Sequence, residues 1–253
     1  MAHAPPMTNG SSKSGAPTPV DQAVDRALDT AERRIVRVVG HVPESVRPKL
    51  RGWLHLGAVP LSIVLGIVAV ALAPAGKVRW AVVVYLITTV LLFAVSATYH
   101  RRVWGSRTEA VLKRLDHSNI YLFIAGSYTP FAVALLTGRQ GEILLILVWT
   151  VAAFGVLFRV LWVGAPRPLY VALYIGLGWA AVAYLPALWR SGGAVVVILI
   201  MAGGLLYTFG AIVYAFKRPN PFPRWFGFHE VFHAMTIAAY ITQYIAVVLA
   251  ITD

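Results

Sequence analysis

His229-Glu230-Val231-Phe232-His233 sets two imidazoles four residues apart at the head of the last long apolar run. On a helix that spacing puts both on one face, with Cβ atoms about 6 Å apart, which suits two ligands of one metal ion. Ionisable groups are costly inside a membrane-spanning segment, so the pair is a functional candidate by default. The five residues also spell H-E-x-x-H, the zinc-peptidase pattern in which Glu230 would act as general base. Against that reading, the short stretch after His233 has no further His, and its only carboxylate is Asp253. Glu230 also sits about 100° from His229 around a helix. The chain has no Cys, so any metal must be held by His, Asp or Glu.

Whether a third ligand reaches this pair depends on the elements that carry it. Hydrophobic residues make up 58% of the 253 and charged residues 13%. Soluble proteins average about 45–50% and 25%. With a mean hydropathy of +0.71, the composition is that of an all-α integral membrane protein. Seven apolar runs lie near 53–73, 80–100, 117–137, 142–163, 168–189, 194–216 and 228–251. Each has about the 20 residues needed to cross roughly 30 Å of hydrocarbon. Short breaks rich in Gly, Pro and charge, such as Pro74 to Lys77 and Lys217 to Pro221, make neighbouring runs antiparallel. Most of the 22 Lys and Arg fall before the first run and in alternate connections after it. The opposite connections hold only Lys77, Arg79, Arg139 and Arg190. The positive-inside rule then predicts seven transmembrane helices in the plasma membrane, N-terminus cytoplasmic and C-terminus outside.

That orientation brings separate segments to one depth. The second run ends on the inner side at Ser96-Ala97-Thr98-Tyr99-His100. The third begins there with Asp116-His117-Ser118, and the seventh begins there with His229 and His233. His100, His229 and His233 are therefore the expected zinc ligands. Each residue also has a plainer use. His100 suits the C-terminal end of a helix dipole. Ser96, one turn earlier, suits a bond to its own backbone carbonyl. Asp116 suits the N-cap of the third helix, or alternatively the orientation of water at the metal. His117 is turned about 100° away from Asp116 and is left out of the site. His55, His41 and His3 read as interfacial or solvated, and Glu230 keeps a possible secondary role.

Residues 1–20 are rich in Pro, Gly, Ser and Ala without an apolar core, which predicts a disordered tail. Residues 21–45 alternate apolar positions with arginines at helical spacing, as in a basic helix lying on an anionic leaflet or a solvated one. Residues 46–253 form the seven-helix domain. The net charge of +12 does not indicate nucleic acid, because no basic cluster is interleaved with exposed aromatics. Pro130 is expected to kink the third helix. Gly176, Gly178, Gly203, Gly204 and Gly210 are expected to allow close helix approach.

Together, Ser96 to His100, Leu115 to Pro130 (LDHSNIYLFIAGSYTP) and Phe228 to His233 resemble the hemolysin III family, the bacterial branch of the progestin and adipoQ receptor group. The likeness covers roughly residues 45–251, and Arg51-Gly52-Trp53-Leu54-His55 is similar to the family's opening. It implies seven helices, a zinc ion on His100, His229 and His233, Asp116 contacting it through water, and Ser96 close by. It also extends to lipid-amide hydrolases of ceramidase type.

Three functions follow. Zinc on three histidines with an open position makes water a nucleophile near neutral pH. With Asp116 taking a proton and Ser96 steadying an oxyanion, that gives an intramembrane hydrolase of a lipid amide or ester. Alternatively, structural zinc braces the second and seventh helices of a receptor-like or membrane-homeostasis protein. A pore-forming hemolysin is the third reading. It needs polar residues along the whole membrane depth, whereas here they gather at the inner end. Oligomeric state is not legible from the sequence.

Overall fold

The computed structural model describes residues 48–252, with Gln22, Ala23, Arg26, Ala27 and Thr30 from the preceding segment. The chain divides into two units, 1–46 and 47–253. In the first, the five described residues are helical, and Thr30 Oγ1 donates to the Arg26 carbonyl at 2.8 Å. The other residues of 1–47, including His3, His41 and most of the expected tail and basic helix, lie outside the described residues.

The second unit is all-helical. Its elements are α1 (Trp53–Leu72), α2 (Lys77–Arg101), α3 (Ser106–Leu135), α4 (Arg139–Leu161) and α5 (Arg167–Gly178). A 3-10 turn (Ala180–Tyr184) follows, then α6 (Leu185–Phe216) and α7 (Phe228–Thr252). Among the described residues the only β-type pairing is a single bridge between Phe222 and Phe226. Among the described residues, five stretches are long and apolar enough to cross a membrane: α1, α2, α4, Arg167–Phe216 taken together, and α7. Outward positions such as Val64, Ile146, Phe154, Val195 and Phe209 are exposed, as a lipid-facing surface requires.

α3 is not among those five, and its polarity has a structural reason. It packs against α2, α4, α5, α6 and α7, so its surface faces protein rather than lipid. Asp116, His117, Ser118, Asn119, Ser127 and Thr129 are all buried. Several are satisfied internally: Asn119 Nδ2 donates to the Leu91 carbonyl at 3.2 Å and Thr129 Oγ1 to the Ala125 carbonyl at 2.9 Å. Close approach is set by glycine. A Cβ on Gly126 would collide with the Thr88 side chain of α2, and one on Gly155 of α4 with the Tyr121 ring. Of the glycines expected to admit neighbours, Gly203 and Gly210 do so against α7, whereas Gly176, Gly178 and Gly204 face open space.

Two helix boundaries differ from the apolar runs. α3 begins at Ser106 rather than near residue 117, because the polar stretch 106–115 is helical too. The run 168–189 is not one helix. α5 stops at Gly178, and the Tyr128 hydroxyl from α3 donates to the Gly178 carbonyl (2.6 Å) and accepts from Ala181 N–H (3.0 Å). A side chain thus satisfies backbone groups that the break releases, the condition for interrupting a helix at membrane depth. The expected break at Gly192-Gly193 is a kink inside α6, where Gly193 has φ 73°.

A short strap closes the ring of helices. Lys49 and Leu50 donate backbone N–H groups to the Arg224 and Trp225 carbonyls (3.0 and 3.2 Å), and Lys49 Nζ lies 4.1 Å above the Trp225 ring. Gly52, at φ 77°, lays its backbone against α2: a Cβ there would stand 3.0 Å from His100 Cβ.

Candidate metal centre

His100 occupies the last turn of α2, and His229 and His233 the first two turns of α7. One ring nitrogen from each lies within 4.8 Å of the others, close enough for the three to share one ion. His100 Nε2 and His229 Nε2 are 3.1 Å apart. Tetrahedral zinc with Zn–N bonds of 2.0–2.1 Å asks about 3.3 Å between neighbouring nitrogens, so this donor pair fits. The ring centroids of His229 and His233 are 4.4 Å apart, and those of His100 and His233 5.3 Å. An all-imidazole set in a chain without thiols suits zinc chemically.

Asp116 joins the group from α3, its Oδ2 3.7 Å from His100 Nε2. It lies about three turns into a helix whose N-cap position is Gly105, so its use as an N-cap does not hold. Ser96 is buried one turn before His100 and lines the same cavity. That cavity, about 150 Å³, is also lined by His55, Asp116, His117, His229 and His233, and continues past Ile124 and Phe131 to Leu144 and Leu188. Asp116 and Phe131 both line it, which at 1.5 Å per residue along α3 means a length of about 22 Å. Its lining is mostly apolar, with the imidazoles, Asp116 and Ser96 grouped together and Ser127, Thr208 and Gln243 among the other lining residues.

Glu230 does not face this cluster. Its Oε1 is 2.6 Å from Arg51 Nε, and its Oε2 accepts from the Gly227 N–H at 2.9 Å. The second contact is the reach-back of a capping box, with Glu230 closing the first turn of α7. H-E-x-x-H therefore places two different roles on two faces: candidate ligands on one, a cap and an ion pair on the other. His117 likewise turns away from the three histidines, with Nδ1 3.1 Å from Nη2 of Arg159, itself 1% exposed and stacked 4.4 Å over Tyr170.

His55 corrects the expectation of an interfacial residue. It is 3% exposed, lines the cavity and stacks on His233. The signal that would have found it is the depth argument itself. In the orientation expected from charge bias, odd-numbered helices begin on the inner side, and His55 stands in the first turn of α1, as His229 does in α7.

Comparison with known proteins adds the following. A family model described as Haemolysin-III related matches residues 44–244, which include every residue of the cluster. The Hemolysin-3 homolog of Bacillus subtilis is 31% identical over 170 residues, 66% of this chain and 77% of that protein. Hemolysin-3 of Bacillus cereus is 34% identical over 135 residues, 53% and 61% of the two chains. The Heptahelical transmembrane protein ADIPOR2 of Oryza sativa subsp. japonica is 29% identical over 190 residues, 68% and 82%.

Proposed function

The chain belongs to the Haemolysin-III related family, and from that premise we propose that it is a zinc-dependent hydrolase of lipid amide or ester bonds. In this reading it crosses the plasma membrane seven times, with its N-terminus cytoplasmic and C-terminus outside. The observation that carries the reading is the joining of three imidazoles and a carboxylate to one end of a long, mostly apolar cavity.

His100, His229 and His233 hold the ion, and the cavity takes the lipid chain with the scissile carbonyl beside the imidazoles. When bound, zinc supplies Lewis acidity that makes water a nucleophile near neutral pH and polarises the carbonyl. Asp116 takes the proton of the attacking water at a carboxylate oxygen and returns it to the departing amine or alkoxide. The C–N or C–O bond breaks, leaving a fatty acid and an amine or alcohol. The Ser96 hydroxyl donates to the oxygen that gathers negative charge. Burial keeps bulk water away and strengthens each of these interactions.

The test is a purified, zinc-loaded protein incubated with a panel of N-acyl and O-acyl lipids, with fatty-acid release measured. Release that falls about 100-fold or more in Asp116→Asn, with zinc content unchanged, is the expected result. Protein that keeps zinc and releases nothing from any lipid defeats the hydrolase.

A second reading, a structural zinc in a non-catalytic receptor-like protein, is favoured by where the ligands sit. The ion would tie the end of α2 to the start of α7, helices that otherwise meet through the rings of Phe93, Tyr85 and Tyr240. It predicts that His100→Ala lowers the melting temperature, with any phenotype tracking protein abundance alone.

A further inference from the structure

A metal-binding imidazole usually has its other ring nitrogen held by a carboxylate or a carbonyl, which fixes the plane of the ring. Among the described residues His233 shows no such partner: its Nδ1 is buried without a hydrogen bond. What it has instead is a second ring against its face. His55 of α1 lies parallel to it, with centroids 3.6 Å apart and planes 13° from parallel.

The stack continues behind His55. Phe93 of α2 meets His55 edge-on at 5.1 Å and 67°, and Tyr240 of α7 meets Phe93 at 5.4 Å and 76°. Exposure along the column is 2% for His233, 3% for His55, 0% for Phe93 and 1% for Tyr240. It starts on α7, passes through α1 and α2, and returns to α7 two turns further on. Such a column of rings, anchored at both ends on α7, resists rotation of its members, because offset and edge-to-face contacts depend on angle as well as distance.

The nitrogens of His55 take no part in this. Both are buried and, among the described residues, without hydrogen-bond partners, so the flat face of the ring is what meets the cluster. We propose that His55 is a positioning residue that sets the ring plane of His233 by stacking, in place of the missing hydrogen bond, and thereby tunes metal affinity and coordination geometry. The inference rests on the zinc reading above and goes beyond it, since it separates the face of an imidazole from its nitrogens.

The experiment compares wild type, His55→Phe and His55→Ala. Zinc affinity is measured by competition with a chelator, the visible spectrum after cobalt(II) substitution reports geometry, and melting of the metal-free protein checks the fold. His55→Ala should weaken zinc binding about 10- to 100-fold and shift the cobalt bands. His55→Phe, which keeps a flat ring and discards both nitrogens, should restore affinity to within about threefold and return the bands. Wild-type affinity and spectrum in His55→Ala overturn the proposal alone. So does a folded His55→Phe as weak as His55→Ala, which would give the work to the nitrogens. Should His55→Ala fail to fold, His55→Leu, similar in bulk but without a flat face, takes its place with the same expectations. Wild-type protein that takes up neither metal overturns this proposal and the zinc reading together.

Discussion

At the level of single residues, zinc stoichiometry is the most direct measurement. Removing any one of His100, His229 or His233 as alanine should take the purified protein from about one zinc per chain to nearly none, read by elemental analysis. Glu230 should behave differently despite lying between two ligands. Its carboxylate pairs with Arg51 and caps α7, so Glu230→Gln should keep zinc and cost about 1–3 kcal/mol of stability, seen as a lower melting temperature. A variant that melts normally but loses hydrolysis would return Glu230 to the role of base. The cluster is legible in the sequence because helix direction and charge bias are expected to put His100, Asp116, His229 and His233 at one depth, and the structure brings them together. His55 is legible only as far as its depth, which is level with the others; a histidine beside Trp53 and Arg51 suits the interface equally well, and its stack on His233 is seen only in the structure. The use of Asp116 stays open in the sequence for another reason. Hydropathy marks where a helix becomes apolar, not where it begins, and α3 begins at Ser106.

At the level of helices, α3 carries the architecture. It is the least lipid-like of the long helices and touches five others, so its polar residues mark a protein-facing element rather than a poor membrane span. Its fit depends on small residues. Gly126→Ala would push a methyl group into Thr88, and Gly155→Ala on α4 would push one into Tyr121. Each should cost about 1–3 kcal/mol, measured by thermal unfolding in detergent, because a close-packed interface has no room for an added carbon. The interruption after α5 is hidden in the sequence for the same reason that α3 is hard to read. Residues 168–189 are mostly apolar, and the backbone groups freed at the break are satisfied by Tyr128, which is distant in the chain. Tyr128→Phe removes the donor to Gly178 and the acceptor for Ala181, and should lower the melting temperature while leaving zinc content at the wild-type level.

For the molecule as a whole, the proposed orientation can be read without disturbing the fold, since the chain has no Cys of its own. A single cysteine at Lys77, the first residue of α2, should react with a membrane-impermeant maleimide on intact cells. One at Arg107, near the start of α3, should react only after the membrane is opened; the reverse pattern would invert the molecule. The strap from Pro48 to Gly52 has its own consequence for where this domain can be cut. Every histidine of the cluster lies at or beyond residue 55, so a truncation starting at Trp53 would retain all the donors. It would also discard the partner of Glu230, two backbone clasps to residues 224 and 225, and the glycine backbone beneath His100. A truncation starting at residue 48 keeps all of these. Zinc retained by the longer fragment and lost by the shorter would place the true edge of the metalloprotein a few residues upstream of its first helix.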